Sequence, residues 1–347
     1  MCSAPTTQYG RFFRYSFRSQ GKSSRAPNHE RPVEPARWHW PRRSVASRFL
    51  NTEGIGSMHP PSPASCSRCD RASVRSGMCL QHYRPRHPVF IVGSVRSGTS
   101  ALADVLWNIG YEGFGEGHFL SLIHYIEAIV DQHYDRFPTD PGVLLGNIDK
   151  CDLKHRLFEP FRTMMNDLMN DLNQKEFWFD KTADPGMILA SPIVRELWPN
   201  SVFVFAKRRG IENVISRVKK FPGESFENHC AGWAGSMAEW RNVRQQLPPG
   251  CFIEVEQRDM SQQPERTARS LCAFLGWDGW DDVAVQRACD ALSTHRPEES
   301  AQGSASKTLS LAESGWTAEQ TEMFLKYCET EMKEFGYTLD EHYSATP

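Results

Sequence analysis

The sequence predicts an α/β protein with three layers, in which helices cover both faces of a parallel sheet. Two apolar runs, residues 89–92 and 202–206, are rich in β-branched and aromatic side chains and have the composition of strands buried on both faces. Each run is followed by a polar turn and then by apolar residues at helical spacing. Units of strand, turn and helix in this order build parallel sheets.

The turn after the first strand, residues 93–100, has the features of a phosphate-binding loop. Its sequence is Gly-Ser-Val-Arg-Ser-Gly-Thr-Ser, and it leads into a predicted helix. Free N–H groups and the partial positive charge of a helix N-terminus are directed at one point there, which suits an anion. The apolar positions of that helix are Ala101, Leu102, Val105, Leu106 and Ile109.

The nearest nucleotide-binding pattern is G-x-x-x-x-G-K-[ST], whose glycine spacing is matched by Gly93 and Gly98. Thr99 stands where that pattern has the lysine that reaches the β- and γ-phosphates. This difference argues against an ordinary ATPase or kinase. Arg96 supplies a cation at an earlier position, from which it can reach a group on the 5′ side of a nucleotide.

A second anion site is predicted after the strand at residues 202–206. Lys207, Arg208 and Arg209 follow that strand directly and lead into another helix. Cations at the carboxyl end of a parallel strand lie where open α/β sheets bind their ligands. Two anion sites in one sheet fit a nucleotide that carries phosphate at both its 3′ and 5′ positions.

The two loops together resemble those of sulfotransferases that use 3′-phosphoadenosine 5′-phosphosulfate (PAPS). The 5′-phosphosulfate loop of that family reads [KR]-[ST]-G-T-[ST], and its 3′-phosphate motif is an arginine followed eight residues later by a serine. Gly210 replaces the proline that usually follows the arginine by two residues. The resemblance implies a P-loop NTPase-like sulfotransferase fold over residues 87–340. It also implies these cofactor contacts: Arg96, Ser97, Gly98, Thr99, Ser100, Arg208 and Ser216.

Residues 111–118 supply two candidates for the general base. Glycines alternate with acids there, which predicts a loop at the carboxyl end of a second strand. In the tyrosylprotein and carbohydrate branches of the sulfotransferases the base is a Glu about twenty residues after the loop's cation, and Glu116 lies twenty after Arg96. His118 is the competing base by resemblance to the cytosolic branch. The catalytic set is thus Glu116 or His118, together with Arg96.

The rest of the chain is assigned to the same fold. Residues 118–173 are mainly helical with a loop at 135–149, and an aromatic strand at 177–179 ends in a polar turn that places Lys181 near the site by resemblance. Trp233, Met237 and Trp240 share one helix face, which we expect to be core. A further strand covers 252–255, and a closing helix follows residue 316.

The predicted function is transfer of the sulfuryl group from PAPS to a hydroxyl or amine by in-line displacement. The acceptor classes left open are carbohydrate, lipid, peptide tyrosine and small-molecule alcohols. Two alternatives are a P-loop phosphotransferase that uses ATP, and a non-catalytic adaptor that binds a nucleotide and carries a zinc knuckle.

Residues 1–57 differ in composition from the rest of the chain. They contain nine Arg and one Lys against three Glu, and they have no periodic apolar pattern, so we expect a disordered basic segment. A transit peptide, a basic arm and a translation start at Met58 are all compatible with it.

A small zinc-knuckle-like segment and linker are predicted over residues 58–86. Four side chains have the C-x₂-C and C-x₂-H spacing of a structural zinc site, with no position left for a catalytic water. The passage resembles C-x₂-C…C-x₂-H-Y zinc knuckles. The expected Zn²⁺ ligands are Cys66, Cys69, Cys79 and His82.

Composition limits the partners and the compartment. The net charge of −2 does not favour nucleic-acid binding, and no apolar run approaches the roughly 18–20 residues that span a bilayer. The chain is therefore expected not to be integral to a membrane. Its ten cysteines are too sparse for a disulfide scaffold, which favours a reducing, cytoplasmic location.

Overall fold

A parallel five-stranded sheet is the centre of the part of the chain that the computed structural model describes, residues 88–137, 142–173, 177–277, 282–294 and 308–343. Its strand order is β2-β3-β1-β4-β5. The strands are β1 Val89–Gly93, β2 Glu112–Phe114, β3 Trp178–Lys181, β4 Val202–Lys207 and β5 Phe252–Glu256.

The helices connect and cover these strands. Their bounds are α1 Thr99–Asn108, α2 Leu122–Tyr134, α3 Lys150–Asn173, α4 Pro185–Leu197, α5 Gly210–Lys220, α6 Phe226–Val243, α7 Gln257–Gln262, α8 Pro264–Leu275, α9 Asp282–Thr294 and α10 Ala318–Glu334. The predicted loop at residues 135–149 contains a 3₁₀ turn at Leu144–Asn147.

Strand β1 shows why the chain folds into layers. Val89 and Ile91 face the apolar cluster formed with α1, α8 and α9, whereas Phe90 and Val92 face the cluster formed with α4, α6 and α10. All four side chains have no exposed surface. A strand that is apolar at every position needs cover on both faces, so the predicted parallel sheet with helices on both sides is confirmed.

The predicted core face of α6 is also confirmed. Trp233, Met237 and Trp240 are fully buried. The ring of Trp240 stacks on Phe205 of β4 with centroids 4.4 Å apart and planes 3° from parallel. Aromatic contacts of this kind add to the stabilisation that comes from burial alone.

The stretch at residues 111–118 differs from its prediction, because strand β2 occupies Glu112–Phe114 within it. Glu112 pairs with Trp178 in parallel register. A Cβ on Gly113 would lie 2.0 Å from the carbonyl oxygen of Phe179, so the close approach of the two strands requires glycine there. The loop itself therefore begins only after Phe114.

The strand order opens a crevice between β1 and β4. These strands are neighbours, and their register runs from Val89 opposite Val202 to Gly93 opposite Ala206. The chain leaving β1 continues to β2 on one side of the sheet, whereas the chain leaving β4 continues to β5 on the other. The two loops therefore diverge at the carboxyl edge, which is where open α/β sheets bind ligands.

The segment after α10 folds back onto the loop that follows β4. The Arg209 side chain, which has no exposed surface, donates to the Asp340 carbonyl at 2.8 Å and to Oε2 of Glu212 at 2.8 Å. The backbone N–H of Arg209 donates to the Tyr343 hydroxyl at 2.9 Å. Arg209 therefore joins the C-terminal segment to the start of α5.

Some predictions concern residues outside the described part. These are the basic segment at 1–57, the segment at 58–86 and the zinc ligands Cys66, Cys69, Cys79 and His82. Within the described residues, no group of three or more His, Cys, Asp or Glu side chains is placed to hold a metal ion. Every helix there is too short or too polar to cross a lipid bilayer.

We expect replacement of Arg209 by methionine to destabilise the protein strongly. It would leave the Glu212 carboxylate, which is 4% exposed, buried without its cation. The free energy of unfolding, measured by urea titration at neutral pH, should fall by about 3–5 kcal/mol. The control is Arg269→Met, which breaks an exposed ion pair with Glu265 on α8. It should change the free energy of unfolding by less than about 1 kcal/mol. Similar small changes in both variants would contradict this role for Arg209.

Candidate active site

The loop at residues 94–98 joins β1 to α1 as a tight turn. The Ser97 N–H donates to the Ser94 carbonyl at 3.1 Å, and Gly98, with φ 92°, precedes the first residue of α1. A Cβ on Gly98 would lie 2.6 Å from Cε of Met260, so both backbone and space favour glycine. The turn directs the first N–H groups of α1, at Thr99 and Ser100, outward at the carboxyl edge of the sheet.

Arg96 has an unusual backbone for a non-glycine residue, with φ 72°. The left-handed region costs an L-residue about 1–2 kcal/mol, so other contacts stabilise the conformation. The Arg96 carbonyl accepts a hydrogen bond from Nη1 of Arg208 at 3.2 Å. Nε of Arg96 donates to Oγ of Ser216 at 3.0 Å. Both partners lie in the second predicted anion motif.

Asn213 of α5 adds two more bonds between the same segments. Its Nδ2 is 3.0 Å from the Val95 carbonyl and 3.0 Å from Oγ of Ser97, and it donates to both. The side chain is fully buried. We did not identify Asn213 from the sequence, although its place between Arg208 and Ser216 was the available signal.

These contacts unite the two predicted anion loops in one site. The predicted cofactor residues that share it are Arg96, Ser97, Gly98, Thr99, Ser100, Arg208 and Ser216. More than a hundred residues of sequence separate the loops, and hydrogen bonds across the crevice between β1 and β4 bring them together.

Arg208 is the buried cation of this site. It is 4% exposed, and its Nε has no hydrogen-bond partner within the described residues. Burial lowers the pKa of its guanidinium, because a charged group loses hydration in the interior. A bound anion would satisfy the Nε and offset the cost of burying the charge.

The two cations that flank Arg208 have other partners among the described residues. Nζ of Lys207 donates to Oε2 of Glu254 at 2.9 Å, and Arg209 holds the C-terminal segment as described above. Spacing alone could not separate these roles, because the three residues point in different directions at the end of β4.

The two candidate bases lie in the loop after β2, beside the end of β3. The Gly117 N–H donates to the Lys181 carbonyl at 3.1 Å, and the His118 N–H donates to Oγ1 of Thr182 at 3.0 Å. Nζ of Lys181 contacts the Glu116 carboxylate. The Lys181 side chain is 3% exposed and that of Glu116 is 57% exposed, so a buried cation holds a solvent-accessible carboxylate.

His118 contacts two carboxylates. Its Nε2 is 3.2 Å from Oε2 of Glu116, and its Nδ1 is 3.2 Å from Oδ2 of Asp184. Asp184 is also the N-cap of α4. Asp184 was not among the predicted site residues, although an acid before the Pro185 that opens a helix is a typical cap.

Asp180 lies beneath this loop. Burial raises its pKa to about 6, although the hydroxyl of Thr182 donates to Oδ2 at 2.9 Å and favours the ionised form. A Cβ on Gly117 would lie 1.5 Å from Oδ1 of Asp180. A side chain at position 117 would therefore require the Asp180 carboxyl group to move.

The base candidates and the anion site lie one strand apart on the same edge of the sheet. Lys181 pairs with Ile91 in β1, and the Thr182 N–H donates to the Ile91 carbonyl at 3.1 Å. Strand β1 then continues into the loop at residues 94–98. A group held by that loop would have proton acceptors beside it, which is the arrangement that group transfer to a hydroxyl requires.

Comparison with protein families matched a sulfotransferase family model. The sequence model of the Sulfotransferase family matches residues 88–282, which is more than half of the chain and contains both loops and both base candidates. A comparison with curated proteins gave no match.

The solved structures that match this chain include three sulfotransferases. The sulfotransferase domain of the Synechococcus PCC 7002 olefin synthase is 16% identical, with 74% of this chain and 97% of that chain covered and a TM-score of 0.43. Mouse sulfotransferase SULT7A1, solved with PAP, is 13% identical. The match covers 72% of this chain and 88% of that chain, with a TM-score of 0.42. STF1 from Mycobacterium tuberculosis H37Rv is 16% identical, with 70% and 78% covered and a TM-score of 0.41.

Replacement of Asp180 by asparagine should change how stability depends on pH. The folded protein binds the Asp180 proton more tightly than the unfolded chain, since the pKa is raised from 3.8 to about 6. The stabilisation present below pH 4 is therefore lost as the pH rises through 6. By pH 7 the loss relative to Asp180→Asn should reach about 3 kcal/mol. Urea titrations at several pH values measure this difference.

The control for that experiment is Asp290→Asn, at an exposed aspartate on α9. The free energy of unfolding of this variant should differ from that of the unaltered protein by the same amount at every pH tested. A constant difference for Asp180→Asn as well would show that burial does not raise the Asp180 pKa.

Proposed function

This chain belongs to the sulfotransferase family, and from that premise we propose that it transfers the sulfuryl group of PAPS to a hydroxyl or amine of an acceptor. The observation that carries the proposal is the buried guanidinium of Arg208, which contacts the loop at residues 94–98 and has a partnerless Nε within the described part of the chain. Two anion loops in contact fit a nucleotide with phosphate at both the 3′ and 5′ positions.

The residues of the two loops would divide the binding of PAPS between them. Backbone N–H groups at Gly98, Thr99 and Ser100 would hold the 5′-phosphosulfate at the start of α1, whereas the Ser97 N–H donates to the Ser94 carbonyl within the turn. Arg208 and Ser216 would hold the 3′-phosphate. Bound there, PAPS supplies an activated sulfuryl group.

Arg96 and a base would promote the transfer. Arg96, fixed through Ser216, would neutralise the negative charge that develops on the bridging oxygen of the leaving group. Glu116 or His118 would accept the proton of the attacking hydroxyl. Lys181 would hold the Glu116 carboxylate at the end of β3, beside the anion loop.

Binding of adenosine 3′,5′-bisphosphate to the full chain tests the cofactor class. Calorimetric titration should show tight binding of the bisphosphate and weak binding of ATP, because Thr99 replaces the lysine that would hold the β- and γ-phosphates. Arg208→Ala should weaken bisphosphate binding by about 10- to 100-fold, since hydrogen bonds to charged groups contribute about 1.5–3 kcal/mol.

Lys207→Ala is the matched control. It removes the neighbouring positive charge, whose partner is Glu254 rather than the loop, and should leave the affinity nearly unchanged. Equal losses in the two variants would indicate general charge attraction. A preference for ATP would favour the alternative of a P-loop phosphotransferase.

Turnover with PAPS tests catalysis. We expect the unaltered protein to transfer sulfate to at least one of four acceptors, namely 2-naphthol, 1-octanol, chondroitin and a tyrosine-containing peptide, measured by release of adenosine 3′,5′-bisphosphate. Glu116→Gln should lower kcat about 10²- to 10⁴-fold, the usual contribution of a general base. Its affinity for the bisphosphate should not change.

Glu265→Gln, at an exposed position on α8, serves as the control and should keep full turnover. Bisphosphate binding without transfer to any acceptor would favour the non-catalytic adaptor. Full activity of Glu116→Gln would remove Glu116 from the catalytic set and leave His118 as the candidate base.

A further inference from the structure

The imidazole of His118 lies between two carboxylates that face its different nitrogens. Nε2 is 3.2 Å from Oε2 of Glu116, and Nδ1 is 3.2 Å from Oδ2 of Asp184. A neutral imidazole has one N–H donor and one acceptor nitrogen. Which carboxylate receives the N–H therefore decides which nitrogen is able to accept a proton.

Asp184 is held by a helix N-terminus and is less exposed than Glu116. Its Oδ1 accepts the backbone N–H of Met187 at 2.8 Å and so caps α4. Its side chain is 26% exposed, compared with 57% for Glu116. The helix cap thus fixes the carboxylate that faces Nδ1, whereas the carboxylate that faces Nε2 is open to solvent and to an acceptor.

The backbone of His118 is fixed as well. It has φ 54°, which is disfavoured for a non-glycine residue. Its N–H donates to Oγ1 of Thr182 at 3.0 Å, and its carbonyl accepts the Ser121 hydroxyl at 2.9 Å. These bonds place the ring between the two carboxylates before any acceptor arrives.

We propose that Asp184 is a positioning residue that accepts the Nδ1–H of His118. The unprotonated Nε2 then faces Glu116, and Glu116 and His118 together take up the acceptor's proton. This inference rests on the proposed sulfuryl transfer. In this inference the two base candidates act together. Asp184 determines which ring nitrogen of His118 carries the proton and does not touch the acceptor.

The proton and electron balance of the step is as follows. The acceptor O–H bond breaks while its oxygen forms the bond to sulfur, and the proton passes to the Glu116 carboxylate. The bond from sulfur to the bridging oxygen breaks, and its electron pair leaves with the nucleotide. Nε2 of His118 then receives the proton from Glu116, and the imidazolium is stabilised by Asp184 and by the restored Glu116 carboxylate.

Several other titratable groups act on this unit. Lys181 and Asp180 belong to β3, His124 to α2 and Glu239 to α6. Burial raises the pKa of Asp180 to about 6 and that of Glu239 to about 7. A pH–rate profile would therefore combine the titrations of several groups. The test instead measures directly which ring nitrogen of His118 is protonated.

Asp184→Asn tests the proposal without removing the helix cap. Only an oxygen accepts the Met187 N–H, so the asparagine carbonyl caps α4 and its NH₂ group faces Nδ1 of His118. The amide then donates to Nδ1, and the neutral ring carries its proton on Nε2. In that state Nε2 cannot accept the proton from Glu116.

Long-range ¹H–¹⁵N NMR of the full chain reports the protonation of each ring nitrogen. His118→Asn assigns the His118 signals, because asparagine tolerates a positive φ. We expect the neutral Nδ1–H tautomer, with Nε2 unprotonated, in the unaltered protein and the Nε2–H tautomer in Asp184→Asn. An Nε2–H tautomer or an imidazolium protonated on both nitrogens in the unaltered protein, or no change in Asp184→Asn, overturns the proposal.

Kinetics with PAPS and the acceptor turned over fastest among the four tested provide the second measurement. Asp184→Asn should lower kcat at least tenfold, with unchanged affinity for adenosine 3′,5′-bisphosphate, and should cause no further loss in the His118→Asn background. An equal loss in both backgrounds overturns the proposal, because Asp184 would then act independently of His118. A loss of bisphosphate affinity would indicate a structural role only and also overturns it.

Asp149→Asn is the matched control. Oδ1 of Asp149 accepts the N–H groups of Cys151 and Asp152 at the start of α3, at 2.9 Å and 3.0 Å, so the same substitution changes a helix start away from His118. It should leave both measurements unchanged. The expected tautomers without sulfuryl transfer in any sample would overturn the proposed function and the transfer step, while supporting the pairing of Asp184 with His118.

Discussion

The hydrogen bonds between the loop at residues 94–98 and the start of α5 hold the candidate active site together. Arg208 donates to the Arg96 carbonyl, Arg96 donates to Ser216, and Asn213 donates to the Val95 carbonyl and the Ser97 hydroxyl. These bonds hold Arg96 in a left-handed backbone and bring a second cation to the loop. Without them the two loops would be independent turns on neighbouring strands, and the site that we propose for a doubly phosphorylated nucleotide would lose the contacts that join its two halves.

The sheet makes these bonds possible, because β1 and β4 are adjacent and their continuations diverge. The same sheet places β3 on the other side of β1, so that Lys181 and the loop that carries Glu116 and His118 lie beside the anion site. Buried charges recur on both sides of β1. Arg208 and Lys181 are each held in the interior at the carboxyl edge, where their contacts orient the groups that we propose bind the donor and accept the proton.

Residues with a local sequence signal were the easiest to place. The turn with Gly98 and the arginine–serine spacing of Arg208 and Ser216 identified the two loops. Asp184 and Asn213 were missed, because a helix cap and a buried amide have the same local sequence whether or not they contact a distant loop. Lys207 and Arg209 were assigned to the anion site only because they flank Arg208. Their actual partners, Glu254 and the C-terminal segment, depend on packing.

The layered parallel sheet and the turns that follow β1 and β4 could be predicted from the sequence, since apolar strands, glycine turns and helix starts are local features that short-range sterics and periodicity specify. The packing of the folded chain was needed to show that Arg208 contacts the loop at residues 94–98 and that His118 lies between Glu116 and Asp184. The contact of Arg208 with Arg96 joins residues 112 positions apart, and that of His118 with Asp184 joins residues 66 positions apart. Their distances depend on how strands pair and helices pack, and residue spacing carries no record of either.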